Sequence, residues 1–198
     1  MQKTNPKVSI VIPIHDMENG AFFLWRAINS IMNQTFKDYE IIITKEGKMA
    51  ENTNAGIKKA KGELIKILYM DDWFAHPNAL KDIVMIMEDL PKSQWLVTGT
   101  STNNNPEWTE DIETGNNKLG SPSALTFRNN TKFPMLFDEE LSWLLDCDLY
   151  KRMKKEYGKP TIWNTLNVNI GIHAGQMTNL MSDDYKLSEH KYVAEKHK

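Results

Sequence analysis

Two acidic pairs carry most of the chemistry this sequence can offer. Asp71 and Asp72 stand side by side directly after an apolar stretch, and Asp146 and Asp148 lie in the run Leu-Leu-Asp-Cys-Asp-Leu-Tyr. Adjacent carboxylates repel each other unless a positive charge lies beside them. A hard divalent cation with a diphosphate meets that need, because Mg2+ or Mn2+ takes one or two carboxylates together with phosphate oxygens and water. The pair also reads as a cap for the helix that follows. Asp146 has two readings that are compatible: the N-cap of a helix starting near Cys147, or a carboxylate that the helix dipole keeps ionised for work as a general base. His15 and Asp16 follow one apolar run and Glu46 follows another. Each acid there suits a polar group of a nucleotide, or simply a solvated turn. His173, in Asn-Ile-Gly-Ile-His-Ala-Gly-Gln, reads as a structural histidine or as a neutral imidazole completing a metal shell.

The elements that must position these residues follow from periodicity. Residues 8–13 (VSIVIP), 39–44 (YEIIIT), 63–69 (ELIKILY) and 95–100 (WLVTGT) are continuous apolar runs, the pattern of strands covered on both faces. Between them, residues 22–32, 51–60 and 76–90 repeat their apolar positions at helical spacing, with Gly62 closing the second helix and Pro91 lying just beyond the third. Alternating strand and helix predicts an α/β fold, a mainly parallel sheet with helices on both faces. Ligands bind beyond the carboxyl ends of such strands. That rule selects His15-Asp16, Lys45-Glu46-Gly47, Asp71-Asp72 and residues 98–101, so three of the four strand ends carry ionisable groups.

After residue 100 the character changes. Residues 101–121 are polar and without periodicity, and a structureless stretch of that length is usually functional or mobile. A short strand is expected at 123–127, a connecting loop at 132–140, a helix at 147–157 ended by Gly158 and Pro160, and one more strand at 163–172. Residues 182–198 read as a charged helix or a frayed tail. Trp73, Trp95, Trp143 and Trp163 are expected in the core or in pocket walls.

Composition narrows the classes. The 198 residues are 40% hydrophobic and 25% charged, which suits one globular domain with its own core. A formal charge of −2 selects neither nucleic acid nor an anionic membrane as partner. One cysteine, Cys147, excludes an internal disulfide and a cysteine-rich zinc site, and points to a reducing, cytoplasmic compartment. Residues 8–14 are too short an apolar run for a signal peptide, and no stretch approaches the length of a transmembrane segment. Neither Gly-x-Gly-x-x-Gly nor a Walker-type Gly-Lys-Ser/Thr occurs.

Five blocks in order then resemble the family 2 glycosyltransferases, inverting enzymes with a GT-A fold: VSIVIPIHD, FLWRAINSIMNQTFKDYEIIIT, NTNAGIKKAKGELIKILYMDDWFAHPNAL, GSPSALTFR and LLDCDLYKRM. The third block is the most specific, with its Asn-x-Gly helix, Lys-Gly-Glu turn, strand, paired Asp and proline-led helix. The resemblance covers roughly the first 155 residues and a late histidine. It implies one GT-A domain, with a nucleotide-binding half at 1–100, an acceptor and catalytic half at 101–181 and a C-terminal helix or tail at 182–198.

By position, the resemblance assigns Pro13, Ile14, His15, Asp16, Glu46 and Asn54 to the nucleotide pocket, Asp71 to the ribose and metal, and Asp72 to the metal, with His173 beside it. Ser121, Pro122, Ser123 and Asp148 fall to the donor sugar or acceptor, and Asp146 to the catalytic base. The implied partners are a nucleotide-sugar donor, a UDP-sugar by preference, and a glycan acceptor, with Mn2+ or Mg2+ as cofactor. The sequence departs from the family at Lys45-Glu46-Gly47-Lys48, where Asp-Asp-Gly-Ser is usual, and at Leu145, where the family has an acid. A domain that binds a nucleotide sugar without turnover is the alternative these departures leave. A sugar nucleotidylyltransferase is a weaker one, since residues 13–18 contain neither Gly nor Arg.

Overall fold

In the computed structural model, which describes residues 5–130 and 135–198, the first half of the chain alternates strand and helix. The elements are β1 (Val8–Pro13), α1 (Gly20–Met32), β2 (Tyr39–Thr44), α2 (Met49–Lys59), β3 (Leu64–Ile67), a two-residue β4 (Trp73–Phe74), α3 (Ala79–Asp89) and β5 (Trp95–Thr100). The second half contributes β6 (Leu125–Arg128), α4 (Leu145–Tyr157), β7 (Thr161–Asn169), a short α5 (Met177–Leu180) and α6 (Asp183–Lys196). One seven-stranded sheet results, in the order β2-β1-β3-β6-β5-β7-β4. The β1–β2, β1–β3 and β5–β7 pairs are parallel, while β6 runs antiparallel between β3 and β5, and β4 antiparallel to β7. Five strands therefore share one direction, and their carboxyl ends open on one edge of the sheet.

Alternation along each strand divides the core in two. Val11, Ile65 and Ile67 face a cluster with Ala50 and Ile57 of α2 and with Leu145, Leu149 and Met153 of α4. Val8, Ile10, Ile12 and Leu64 face Ala27 and Ile31 of α1 and Leu80, Ile83 and Met87 of α3. This is the period of two expected of strands buried on both faces. Helix α2 lies so close to the sheet that a Cβ at Gly56 would overlap the Val11 side chain.

Two expectations change, and a choice left open at the C-terminus is decided. Residues 101–121 are not structureless: Ile112 and Leu119 are fully buried, a 3-10 turn spans Ile112–Thr114, and the Thr109 hydroxyl donates to the Asn116 carbonyl. The segment is polar yet fixed by two apolar anchors. The C-terminal stretch is a helix whose Val193 enters the core, not a frayed tail. Its weak sequence signal follows from a face that is apolar at few positions. The last strand begins at Thr161 and ends at Asn169, leaving residues 170–176 as the loop that carries His173. Of the connecting loop expected at 132–140, residues 132–134 lie outside the described residues.

Candidate functional site

Two adjoining cavities lie at the carboxyl edge of the sheet. The larger, of about 600 Å³, is walled by His15, Lys48, Met49, Asn52, Leu180 and Tyr185 among others. The smaller, of about 180 Å³, is walled by Tyr69, Asp71, Ser121, Pro122, Trp143, Asp146 and His173 among others. His15, Met49 and Ser142 line both, so the two form one cleft.

The tight turn after β3 sends the members of the first acidic pair in different directions. Asp71 faces the smaller cavity, and its Oδ2 lies 2.9 Å from His173 Nε2. Asp72 turns inward and is 2% exposed. Its Oδ1 accepts from the Gly171 N–H at 2.8 Å, and the Ser123 hydroxyl also hydrogen-bonds to it. Burial pushes the Asp72 carboxyl well up, while the same burial pushes the neighbouring Lys66 ammonium down. Lys66 is fully buried in β3 and donates from Nζ to the Ser123 carbonyl. Asp72, expected as the principal metal ligand, thus lies behind the cavity wall and joins the 71–72 turn to residues 123 and 171.

His173 reaches Asp71 because the chain leaving β7 passes against the β3 turn. A Cβ at Gly171 would overlap the Asp71 carbonyl, so only glycine permits this approach. Phe23 stacks on the imidazole, with ring centroids 5.0 Å apart. Arg26 donates to the Asp71 carbonyl at 2.7 Å and lies 3.6 Å over the Trp73 ring, fixing the turn from α1.

Asp146 approaches the same cavity from the other side. Helix α4 begins at Leu145, two residues earlier than expected, with Leu144 as its N-cap, so Asp146 lies in the first turn and is not the cap. Its Oδ1 accepts from the Cys147 N–H and its Oδ2 from Asn117 Nδ2, both at 2.8 Å. Burial raises its carboxyl to about 6 against these hydrogen bonds, which pull it down. Asn117 in turn donates to the Gly120 carbonyl and accepts from the Leu119 and Gly120 N–H groups.

Several expected site residues stand elsewhere. Asp148 is fully buried, meets Arg152 Nε at 2.8 Å, Lys196 Nζ at 2.8 Å and His197 Nε2 at 2.9 Å, and lines neither cavity. Two residues of helix turn the side chain about 200° from Asp146. Asn54 likewise lines neither cavity: it is 1% exposed and exchanges hydrogen bonds with the backbone of Phe137, while Asn52, on the opposite face of α2, lines the larger cavity. Ser123 is fully buried and holds the Tyr69 N–H at 2.9 Å, leaving Ser121 and Pro122 to face the cavity.

Pro13 is buried at the end of β1, and Ile14 presents its carbonyl to Asn52 Nδ2 at 2.8 Å. His15 lines the cleft with its Nδ1 buried and unpartnered. Asp16 is exposed and pairs with Lys45 at 2.7 Å, which holds its carboxyl below the usual range. Glu46 pairs with Lys59 at 2.7 Å and faces a surface hollow, not the cleft.

Sequence reasoning missed Asn52, Asn117 and the α6 residues Tyr185 and Glu189. A polar residue on a helix's cleft-side face was the available signal for Asn52. The others depend on partners 29 to 47 residues away in the chain.

The donors fit a divalent cation of the diphosphate-binding kind. A carboxylate and an imidazole nitrogen converge on one cavity beside the orphaned Nδ1 of His15. Among the described residues no three His, Cys, Asp or Glu converge as a complete metal cage. A cation that takes one or two protein ligands and completes its shell from phosphate and water does not need one.

No protein-family model matches the chain. It is 29% identical over 117 residues to an uncharacterized glycosyltransferase of Rickettsia prowazekii, an alignment covering 47% of this chain and 36% of that relative. An uncharacterized glycosyltransferase of Rickettsia conorii is 30% identical over 118 residues, covering 46% of this chain and 19% of the relative. The matched segments thus span about a third or less of these curated relatives. The fold is that of solved glycosyltransferases. S. aureus TarS 1–349 in complex with UDP-GlcNAc superposes with a TM-score of 0.69 over 95% of this chain and 65% of its own, at 16% identity. Mannosyltransferase PcManGT of Pyrobaculum calidifontis, in complex with GDP-Man and Mn2+, gives 0.69 over 97% and 65%, at 12% identity. Among the described residues no helix is long and apolar enough to cross a membrane.

Proposed function

We propose that this chain is an inverting glycosyltransferase domain of family 2 and GT-A type, moving a sugar from a nucleoside-diphosphate donor, a UDP-sugar by preference, to a hydroxyl of a glycan acceptor. One observation carries the reading most: Asp146 and the Asp71–His173 pair line the same 180 Å³ cavity. Support also comes from curated glycosyltransferase relatives and from neighbours of the same fold in complex with UDP-GlcNAc and GDP-Man.

In this reading the 600 Å³ cavity takes the nucleoside against His15, Met49 and Asn52. The smaller cavity takes the diphosphate and sugar. The acceptor hydroxyl gives its proton to Asp146 as its oxygen attacks the anomeric carbon. The bond from that carbon to the diphosphate oxygen breaks, and its electron pair leaves with the nucleoside diphosphate. A single displacement of this kind inverts the anomeric centre. A carboxyl raised to about 6 is mostly ionised at neutral pH, yet basic enough to accept the proton. Asp71 and His173 would hold Mn2+ or Mg2+, which when bound would supply electrophilic stabilisation of the diphosphate charge. Asp72, Lys66 and Ser123 support that wall from behind. Residues 1–100 then act as the nucleotide half and 101–181 as the acceptor and catalytic half, with α6 held against the second.

A second reading, a domain that binds the donor without turnover, draws on the surface ion pairs that occupy Asp16 and Glu46. Two measurements separate the readings. Thermal stability is followed with UDP-GlcNAc, UDP-glucose and GDP-mannose, with and without Mn2+. A ligand at a hundred times its Kd stabilises by about 2.7 kcal/mol, which shifts the melting point visibly. Release of nucleoside diphosphate in the presence of glycan acceptors is then assayed. A metal-dependent shift with release supports transfer, and a shift without release supports the binding domain. No shift with any nucleotide contradicts both.

A further inference from the structure

Helix α4 starts without a side-chain cap of its own, because Leu144 stands at its N-cap. The amides before it are nevertheless filled, from an element about 45 residues further along the chain. Glu189 of α6 is 4% exposed, and its Oε1 accepts from the Ser142 N–H at 2.8 Å. Its Oε2 accepts from the Trp143 N–H at 2.9 Å and the Leu144 N–H at 2.8 Å. Three consecutive amides thus close on one carboxylate. Charge-assisted bonds of this kind are the strong ones, and loss of their acceptor leaves buried donors unpaired.

The segment held this way is a wall of the reaction cavity. Ser142, Trp143, Leu145 and Asp146 all line it. The same helix braces the segment at two further points: His190 meets the Trp143 ring edge-on at 5.1 Å, and Lys186 lies 5.6 Å over that ring. At its far end, α6 is tied to α4 through Lys196 and His197 on Asp148. Helix α6 therefore holds the start of α4 at two points along its own length, and Glu189 is the contact beside Asp146.

We infer that Glu189 is a positioning residue for the transfer step: by holding residues 142–144 it sets the start of α4, and through it the place of Asp146 opposite the Asp71–His173 pair. The inference rests on the proposed role of Asp146 as base, but the clamp itself can be tested without turnover. It assigns the C-terminal helix to the reaction machinery, with most of its effect on turnover and little on donor affinity.

The test compares Glu189→Gln and Glu189→Ala with the unchanged chain in three readouts. Hydrogen exchange of the 142–144 amides needs no substrate. It should rise strongly in the alanine variant and less in glutamine, which keeps one acceptor oxygen. Turnover should fall by about tenfold to a hundredfold in E189A, as expected when a reacting group is misplaced by about 1 Å, with E189Q intermediate. Donor Kd should stay within about threefold, since His15, Met49 and Asn52, which take the nucleoside in this reading, lie outside the clamped segment. Unchanged exchange at 142–144 overturns the clamp. Turnover of E189A equal to the unchanged chain, or a fall in turnover matched by an equal loss of donor affinity, overturns the positioning role. If Asp146→Asn transfers normally, the base assignment fails, and the exchange data still decide the clamp on their own.

Discussion

The two acidic pairs invite comparison because each sends one carboxylate into the cleft and one into the fold. Asp71 lines the cavity in contact with His173, whereas Asp72 lies behind it on Gly171 and Ser123. Asp146 faces the same cavity, whereas Asp148 lies behind it on Arg152, Lys196 and His197. The two buried acids are partnered differently. Asp148 meets the Arg152 and Lys196 cations and the His197 ring, and anchors α6 to α4. Asp72 has neutral hydrogen-bond donors and a single buried lysine, Lys66, near it. Acids close in sequence therefore need not share a function. The outer member of each pair has the geometry for chemistry, and the inner member holds the outer one in place.

Substitutions can break this symmetry. The largest effect should come from Asp146→Asn, which keeps the size of the side chain and removes its basicity. General-base loss lowers turnover by about 10²–10⁴-fold, with donor binding nearly intact. Next, Asp71→Asn and His173→Ala should each weaken metal-dependent donor binding by about tenfold to a hundredfold, because one charged or coordinating contact is typically worth about 1.5–3 kcal/mol. Titration of the donor at fixed Mn2+ measures this, and the same substitutions should do little in metal-free buffer. Asp148→Asn should act on stability instead. Removing one partner from a buried charge cluster costs about 3–5 kcal/mol, read as a fall in denaturation midpoint.

The smallest expected effect concerns pH. Turnover should decline toward acid with an apparent midpoint near 6, as Asp146 takes up its proton. The Asn117 hydrogen bond favours the ionised form, so Asn117→Ala should move that limb to higher pH. A limb that stays put, or moves toward acid, would show that Asn117 does not tune Asp146.

Much of this was legible before any coordinates. The four apolar runs became β1, β2, β3 and β5, and the rule of the carboxyl edge brought His15, Asp71 and the strand-end loops to one cleft. Periodicity carries that information locally. It could not say which acid of a pair turns inward, because that depends on Gly171, brought by a loop about a hundred residues later, and on Lys66 buried behind the turn. It misplaced Asn54 for a related reason. Residues 52 and 54 sit on opposite faces of α2, and helical phase alone does not say which face meets the cleft. Glu189 lay in a charged stretch with little amphipathic pattern, and its role shows only in the three amides it gathers.

The most direct test of the division between cleft and fold is to measure turnover per folded molecule for Asp146→Asn beside Asp148→Asn, with donor binding recorded for both. The account predicts a stable Asp146→Asn chain that binds donor and does not transfer, and a destabilised Asp148→Asn chain whose folded fraction still transfers. Transfer by Asp146→Asn, or equal loss of transfer per folded molecule in both, would contradict it.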